Sequence, residues 1–451
     1  MAFTNITNIN LASSNSIIAT LASLRSTYNP KNAWQNNGEN RYIVDTITKV
    51  KAGLTAGTLN NAEVIKYVST SVFIHCFNGW AYLSSAVNSL LEGDYGNAIH
   101  NAYYAELRGI MSFMAGQGVG TFNGANIIID STGNVHSALP VDKPTHVFAK
   151  SAFDTWLNAP GNANLIFNGF TAQDKSLSDW LTATGFSSEV AGYQASAWLQ
   201  NWSMDLNVID TEQKLRNFVS YNPQTFDLTH VFLADDIKAR AKFVIDLWNL
   251  CSPSGTFADT ILRNSLEKMY NDLFSYTGMN QLDVEKDIKP IFTALGKNPN
   301  DIQSKNLIDF LRRVTVPSDN LVFDHASNIN YSVPVLESQI DPMGIISRAC
   351  LILLVNTKMI ENLLRLSGTT KADLKFWFDS IGVKLGYWNL TAEPYLLSDL
   401  WSDVQIELSD IQTWIDNPAT VFTPFNFKTN FRDSMPHHKS LSKAYLWNLG
   451  L

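Results

Sequence analysis

The sequence predicts an all-α, mainly bundle-like protein with one small β-hairpin near residues 126–139. Apolar residues recur at helical spacing along most of the chain, and strand-like runs are few. Hydrophobic residues make up 45%, aromatics 12% and charged residues only 16% of the 451 positions, a balance that favours extensive packing over disorder.

The first strongly periodic stretch is "NGWAYLSSAVNSLLEGD". It places Trp80, Leu83, Ala86, Val87 and Leu90 on one helical face. Gly93 reads as its C-terminal stop and Asp94 as the cap of the next helix, giving a short-linked helical hairpin. The second arm runs through "AIHNAYYAELRGIMSFMAGQGVGTF", residues Ala98 to Phe122. At about 100° per residue, His100 falls near the middle of an apolar stripe with Ile99, Tyr103, Leu107, Ile110, Met111 and Met114. Tyr104 and Arg108 follow toward one edge, and Glu106 lies on the opposite flank. The expectation is that the Leu107 face is buried and His100 is largely inaccessible. "GQGVG" then reads as a turn, because it follows a helix and lacks G-x-G-x-x-G spacing.

"ANIIID-STGN-VHSAL" reads as the hairpin, turning at Ser-Thr-Gly-Asn. Helical periods return in "THVFAKSAFDTWLN", "SEVAGYQASAWLQNW", "DDIKARAKFVIDLWNL", "FADTILRNSLEKMYNDLFSY", "DVEKDIKPIFTALG" and "DIQSKNLIDFLRRV". "NLVFDHASNINYSVPV" is expected to be extended. "GIISRACLILLVNTKMI", interrupted by Arg348 and Lys358, reads as a buried core helix because its unbroken part is about half of the roughly 20 residues a membrane span needs. "KADLKFWFDSIGV" and the acidic amphipathic "LWSDVQIELSDIQTWIDNP" are the last strong helices. The tail "MPHHKSLSKAYLWNLGL" is expected to dock through Tyr445, Trp447 and Leu449. Two domains are expected, residues 1–225 and 226–451, with the boundary in Ser220–Asp235 or Pro317–Pro342.

The formal net charge of −8 argues against a broadly basic, nucleic-acid-coating surface. Cys76, Cys251 and Cys350 are odd in number and far apart in sequence, which argues against a disulfide framework and a thiol zinc site and fits a reducing cytosol. No signal peptide, Walker loop, H-E-x-x-H or G-x-S-x-G motif is present in the sequence. The expectation is therefore a cytoplasmic protein with no cofactor, no metal and no membrane association.

"EGDYGNAIHNAYYAELRGIMSFMAGQGV" resembles the core helical hairpin of HEPN domains, in which a small-residue turn precedes an A-x-x-x-A-Y-Y-A helix with a long apolar face. The likeness covers residues 70–157. It implies an all-α domain of the kind found in bacterial toxin–antitoxin and phage-defence systems, many of which are metal-independent endoribonucleases. In such sites an arginine is followed after four to six residues by a histidine, usually across a dimer. Histidine moves the proton while arginine steadies the developing phosphorane charge.

Arg108 has no histidine in that window, so the resemblance implies either a degenerate site or a histidine delivered by the fold. His136 and His146 are the nearest candidates in sequence, which makes Arg108, His136 and His146 the catalytic candidates. Tyr104, Glu106, Arg312 and Arg313 are the binding candidates, although Arg312 and Arg313 precede His325 by too many residues to form the pair. Arg432 precedes His437 and His438 at fitting spacing, but Met435-Pro436 breaks the helix there. The expected function is an assembly or sensor subunit of a bacterial anti-phage defence system, with a HEPN-like fold and a degenerate site. The alternatives are an endoribonuclease or toxin effector, and a structural helical interaction protein unrelated to defence. A protein partner or a second copy of the chain is expected, with RNA as a candidate ligand.

Overall fold

The structure is a computed structural model and describes residues 6, 8–35, 38–138, 143–159, 161–185, 206–221, 234–274, 283–327, 342–389, 391–432 and 440–449. It is helical throughout with two small antiparallel sheets, as the periodicity predicts. In the N-terminal part come α1 (Ser14–Lys31), α2 (Thr46–Ala56), α3 (Asn61–Glu92), α4 (Tyr95–Gly116), β1 (Val119–Gly120), β2 (Ile127–Ile129), β3 (Val135–Ser137), α5 (Thr145–Leu157) and α6 (Asn162–Gly169). A second hairpin, β4 (Thr171–Ala172) and β5 (Lys175–Ser176), leads into α7 (Leu177–Ala183). Then follow α8 (Leu206–Tyr221), α9 (Ala234–Cys251), α10 (Phe257–Phe274), α11 (Lys289–Ala294), α12 (Ile302–Leu311), α13 (Leu321–Ser327) and α14 (Pro342–Ser367). The last are α15 (Lys375–Lys384), α16 (Leu400–Asp416), α17 (Pro424–Asn430) and α18 (Lys443–Trp447).

Helices α3 and α4 form the hairpin that Gly93 and Asp94 predict. The Asn60 side chain caps α3 by accepting from the Glu63 amide, and Gly93 ends it in the left-handed conformation, φ 81°. Asp94 then caps α4 by accepting from the Asn97 amide. The Ser112 hydroxyl donates across the hairpin to the Val72 carbonyl.

Helix α14 lies along both arms and is buried from Gly344 to Thr357 without interruption. It is long and apolar enough to cross a membrane, yet 83% of its most apolar window is buried in this fold, as expected of a core helix. Glycines make its bed. A Cβ at Gly79 would stand 2.6 Å from Leu353 Cδ2 and 3.2 Å from the Ala105 carbonyl oxygen. One at Gly116 would stand 2.7 Å from Met359 Cε, and one at Gly109 3.1 Å from Ile352 Cγ2. The missing side chains let three helices approach closely, where dispersion between many atom pairs accumulates.

The expected hairpin is β2–β3, with Ile128 opposite His136, and β1 joins it as a third strand through Val119 opposite Ile128. Within "GQGVG" the expected turn is Gln117–Gly118, with Gly118 at φ 87°; it is buried and links the end of α4 to that strand. Residues 321–327 of the segment expected to be extended form α13, where Asn320 accepts from the Val322 amide; the rest of that segment lies outside the described residues. "SEVAGYQASAWLQNW" also lies outside them. Helix α16 buries Leu400, Val404, Leu408, Ile411 and Ile415 on one face, and the tail docks through buried Tyr445, Trp447 and Leu449.

Replacing Gly79 by valine should destabilise the fold by about 1–3 kcal/mol through overpacking against Leu353 and the α4 backbone. Urea unfolding followed by circular dichroism measures it, and a variant as stable as the wild type would show that the bed is not tightly packed.

Candidate functional site

Helix α4 is enclosed by α3, α14, α8 and α5, so only a narrow sector of it faces outward. That sector carries His100, Tyr104 and Arg108, at one-turn steps, all half-buried. His100 is therefore not the inaccessible residue expected. Leu107 and Met111 are buried as predicted, and Glu106 on the far flank is fully enclosed.

Arg108 does meet a histidine, and it is neither His136 nor His146. Its Nη1 lies 3.0 Å from Nδ1 of His75, on the facing arm α3. A guanidinium can only donate, so Nδ1 accepts and the ring is the neutral Nε2–H tautomer. Burial, reinforced by the Arg108 charge, pushes the His75 pKa down to about 3. Arg108 Nε is enclosed with no hydrogen-bond partner among the described residues.

A second cluster adjoins this pair, built from α4, α5 and α8. The Tyr103 hydroxyl and His146 Nδ1 are 3.2 Å apart, and His100 Nδ1 is 2.9 Å from the Ser220 hydroxyl. The Arg216 guanidinium sits 5.0 Å and 5.2 Å from the ring centres of Tyr103 and Tyr104, and Lys150 Nζ sits 4.9 Å from that of Tyr103. These are cation–π distances. Tyr82 of α3 stacks on Tyr104 at 5.5 Å. Burial first, then Arg216, Lys150 and Arg108, holds the His146 pKa below its ordinary value, and burial with Arg216 does the same to His100.

Beneath the tyrosines lies a buried acid pair. Glu212 of α8 accepts from Nε of Arg348 at 2.7 Å and from its Nη2, both through Oε1. Arg348 Nη1 also donates to the Ala326 carbonyl at 3.0 Å. Glu106 lies within hydrogen-bonding reach of Glu212, and its pKa is raised well above the carboxylate range, by burial first and the Glu212 charge second. Two carboxylates cannot donate to each other. A proton on Glu106 lets the two carboxyls share a hydrogen bond; both Glu106 oxygens and Glu212 Oε2 have no other partner among the described residues.

The remaining candidates sit elsewhere. His136 Nε2 is 2.8 Å from Oδ2 of Asp130 in the hairpin turn, and that contact draws the Asp130 carboxyl well below its usual range. Arg313 pairs with Glu267 at 2.6 Å and Asp319 at 3.0 Å, holding a left-handed turn at φ 60° after α12. Arg312 is the residue that ends α12. Arg432 is exposed, while His437 and His438 lie outside the described residues. Among the described residues no group of three or more His, Cys, Asp or Glu side chains converges on a metal position.

Sequence reading missed His75, Glu212, Arg216 and the helix α8 that carries the last two. In "LNVIDTEQKLRNFVSY", Val208 and Leu215 keep the helical period, but Glu212 and Arg216 occupy the other inward positions and erase the apolar stripe.

The acid pair makes a definite pH prediction. An acid whose folded pKa is raised holds its proton while the unfolded chain ionises above about pH 4.3, so stability from this group falls as pH rises past that value. The wild type should lose stability relative to Glu106→Gln between pH 4.5 and 8, by at most about 1.4 kcal/mol per pH unit. Urea titrations across that interval measure the difference, and a wild type that gains on the glutamine variant as pH rises would refute the protonated assignment.

No family model matches the chain, and neither a curated protein nor a solved structure matches it, so the chemistry of the site rests on its own geometry.

Proposed function

We propose that the chain is a non-catalytic assembly or sensor subunit of a bacterial anti-phage defence system, in which a HEPN-like α3–α4 hairpin carries an arginine–histidine centre that contacts an anionic partner without cleaving it. The observation that carries this reading is the state of His75. Its Nδ1 already accepts from Arg108, and a pKa near 3 makes it a weak proton acceptor at neutral pH, where a general base works best with a pKa close to 7. His100 and His146 are shifted in the same direction. The half-buried Arg108, Tyr82 and Tyr104, backed by the buried Arg216 whose charge lies over the Tyr103 and Tyr104 rings, form a cationic, aromatic strip of the kind that holds single-stranded RNA by phosphate contact and base stacking. The defence setting rests on the resemblance in the hairpin.

A second reading, a metal-independent endoribonuclease, is favoured by one observation. The 3.0 Å Arg108–His75 contact supplies in space the arginine–histidine pair that the sequence spacing lacks.

Incubation of the purified chain with end-labelled single-stranded RNA separates the two. The expected result is binding without cleavage, weakened about tenfold by Arg108→Ala through loss of a charge-assisted contact. Cleavage that Arg108→Ala and His75→Ala both abolish, with their melting curves preserved, would establish the nuclease instead. Resistance to phage that survives Arg108→Ala, in cells carrying the protein with its genetic neighbours, would remove this centre from the function.

A further inference from the structure

We infer that the cavity between α2, α3, the C-terminal half of α4 and β1 binds a small, neutral, planar molecule that carries a carbonyl acceptor beside an N–H. It has a volume of about 300 Å3, at the lower end of the range of small-molecule pockets. Tyr67, Ser71 and His75 enter it from one face of α3 at successive turns, and Met111 enters from α4. The Tyr67 and Phe122 rings, 5.7 Å apart, form part of its wall, so a flat ring finds aromatic and thioether surface.

The polar groups are few and specific. His75 spends Nδ1 on Arg108, which leaves Nε2–H as its remaining polar group and makes it a donor. Thr121 Oγ1 is enclosed and has no hydrogen-bond partner among the described residues. Of the other three hydroxyls of the lining, two are already committed as donors, Ser71 to the Val68 carbonyl at 2.7 Å and Thr46 to the Tyr42 carbonyl at 2.5 Å, and the third is the Tyr67 phenol. Asp45 is exposed beside them, at φ 57° ahead of α2, and its carboxylate makes no cap hydrogen bond. A primary amide matches this set, its carbonyl taking the His75 proton and its N–H groups meeting the Thr121 hydroxyl and the Asp45 carboxylate. Charge is selected against on both sides. An anion meets Asp45, and a cation meets the Arg108 guanidinium behind His75. The depressed pKa of His75 keeps that ring neutral throughout the physiological range.

This goes beyond the RNA reading, rests on the Arg108–His75 contact of the free chain, and is tested without RNA. The full chain is titrated with benzamide at pH 7 by saturation-transfer NMR and calorimetry, beside benzoate and toluene. Benzamide should bind one site with a Kd of about 1 mM or tighter, and benzoate and toluene at least about tenfold more weakly. Thr121→Val should weaken benzamide about fivefold, by removing one hydrogen bond at nearly constant shape. Ala115→Met should fill the cavity and abolish binding while the far-UV spectrum and melting curve stay those of the wild type. No benzamide binding to the wild type, or equal binding to a folded Ala115→Met variant, would overturn the site. Toluene or benzoate binding as well as benzamide, or an unchanged affinity in Thr121→Val, would overturn the assigned ligand chemistry.

Discussion

A guanidinium is buried in the first third of the long core helix α14, and the region around it is arranged to neutralise it. Arg348 is 2% exposed on α14, which packs on the α3–α4 hairpin and on α13. An unpaired charge there would cost several kcal/mol, so the fold depends on Glu212 of α8 reaching Arg348 with a two-pronged contact. That need fixes where α8 lies. With Glu212 turned inward, Arg216, one turn later on the same face, is brought over the rings of Tyr103 and Tyr104. The cationic aromatic strip on the outer sector of α4 is therefore a geometric consequence of neutralising a charge in the core.

The same economy of charge explains the protonation states around the strip. Glu212 is already committed to Arg348, so a second full negative charge on Glu106 would face it across a medium that screens poorly; the proton stays on Glu106 and becomes a hydrogen bond. On the outer side the surplus is positive, and Arg216, Lys150 and Arg108 together disfavour an imidazolium at His146. Neutral histidines beside arginines suit recognition of an anion. They suit proton transfer near neutrality poorly, because the groups that would clamp a phosphate are the ones that weaken the base.

The fold class and the hairpin were legible in the sequence because they depend on local signals. Gly93 and Asp94 stop and cap helices through their own backbone and side-chain preferences, and the face of α16 shows an uninterrupted apolar period. The site was legible only in part. The angular arithmetic on α4 placed Glu106 opposite His100 correctly, but assumed that the apolar stripe marks the only buried face. Four neighbouring helices enclose α4, so its outward sector is the minority, and the side opposite His100 is fully buried at Glu106. His75 was missed because the first half of α3, "NAEVIKYVSTSVFIHCF", is rich in β-branched residues that blur the helical period. Tertiary packing overrides that weak preference. Arg108 was picked out for its edge position, and its partner came from the facing arm, at a separation of 33 residues that local spacing cannot encode.

His75 is where the two halves of the chemistry meet. Its two nitrogens face different tasks: Nδ1 receives Arg108 on the side of the cationic strip, while Nε2–H is left for the cavity that His75 lines. The imidazole conducts polarisation between them. An acceptor placed on Nε2–H enriches Nδ1 in electron density and strengthens its hold on Arg108, and an anion that draws Arg108 away removes the contact that fixes the tautomer. Binding free energies linked through one group are reciprocal, so whatever a cavity ligand does to anion affinity, an anion does to the ligand. The approach of Gly79 to the Ala105 carbonyl and Arg108 Cβ holds the two arms too close for this coupling to need a large movement. A shift of one guanidinium by the length of a hydrogen bond is enough, and that motion lies within reach of the half-buried Arg108 side chain.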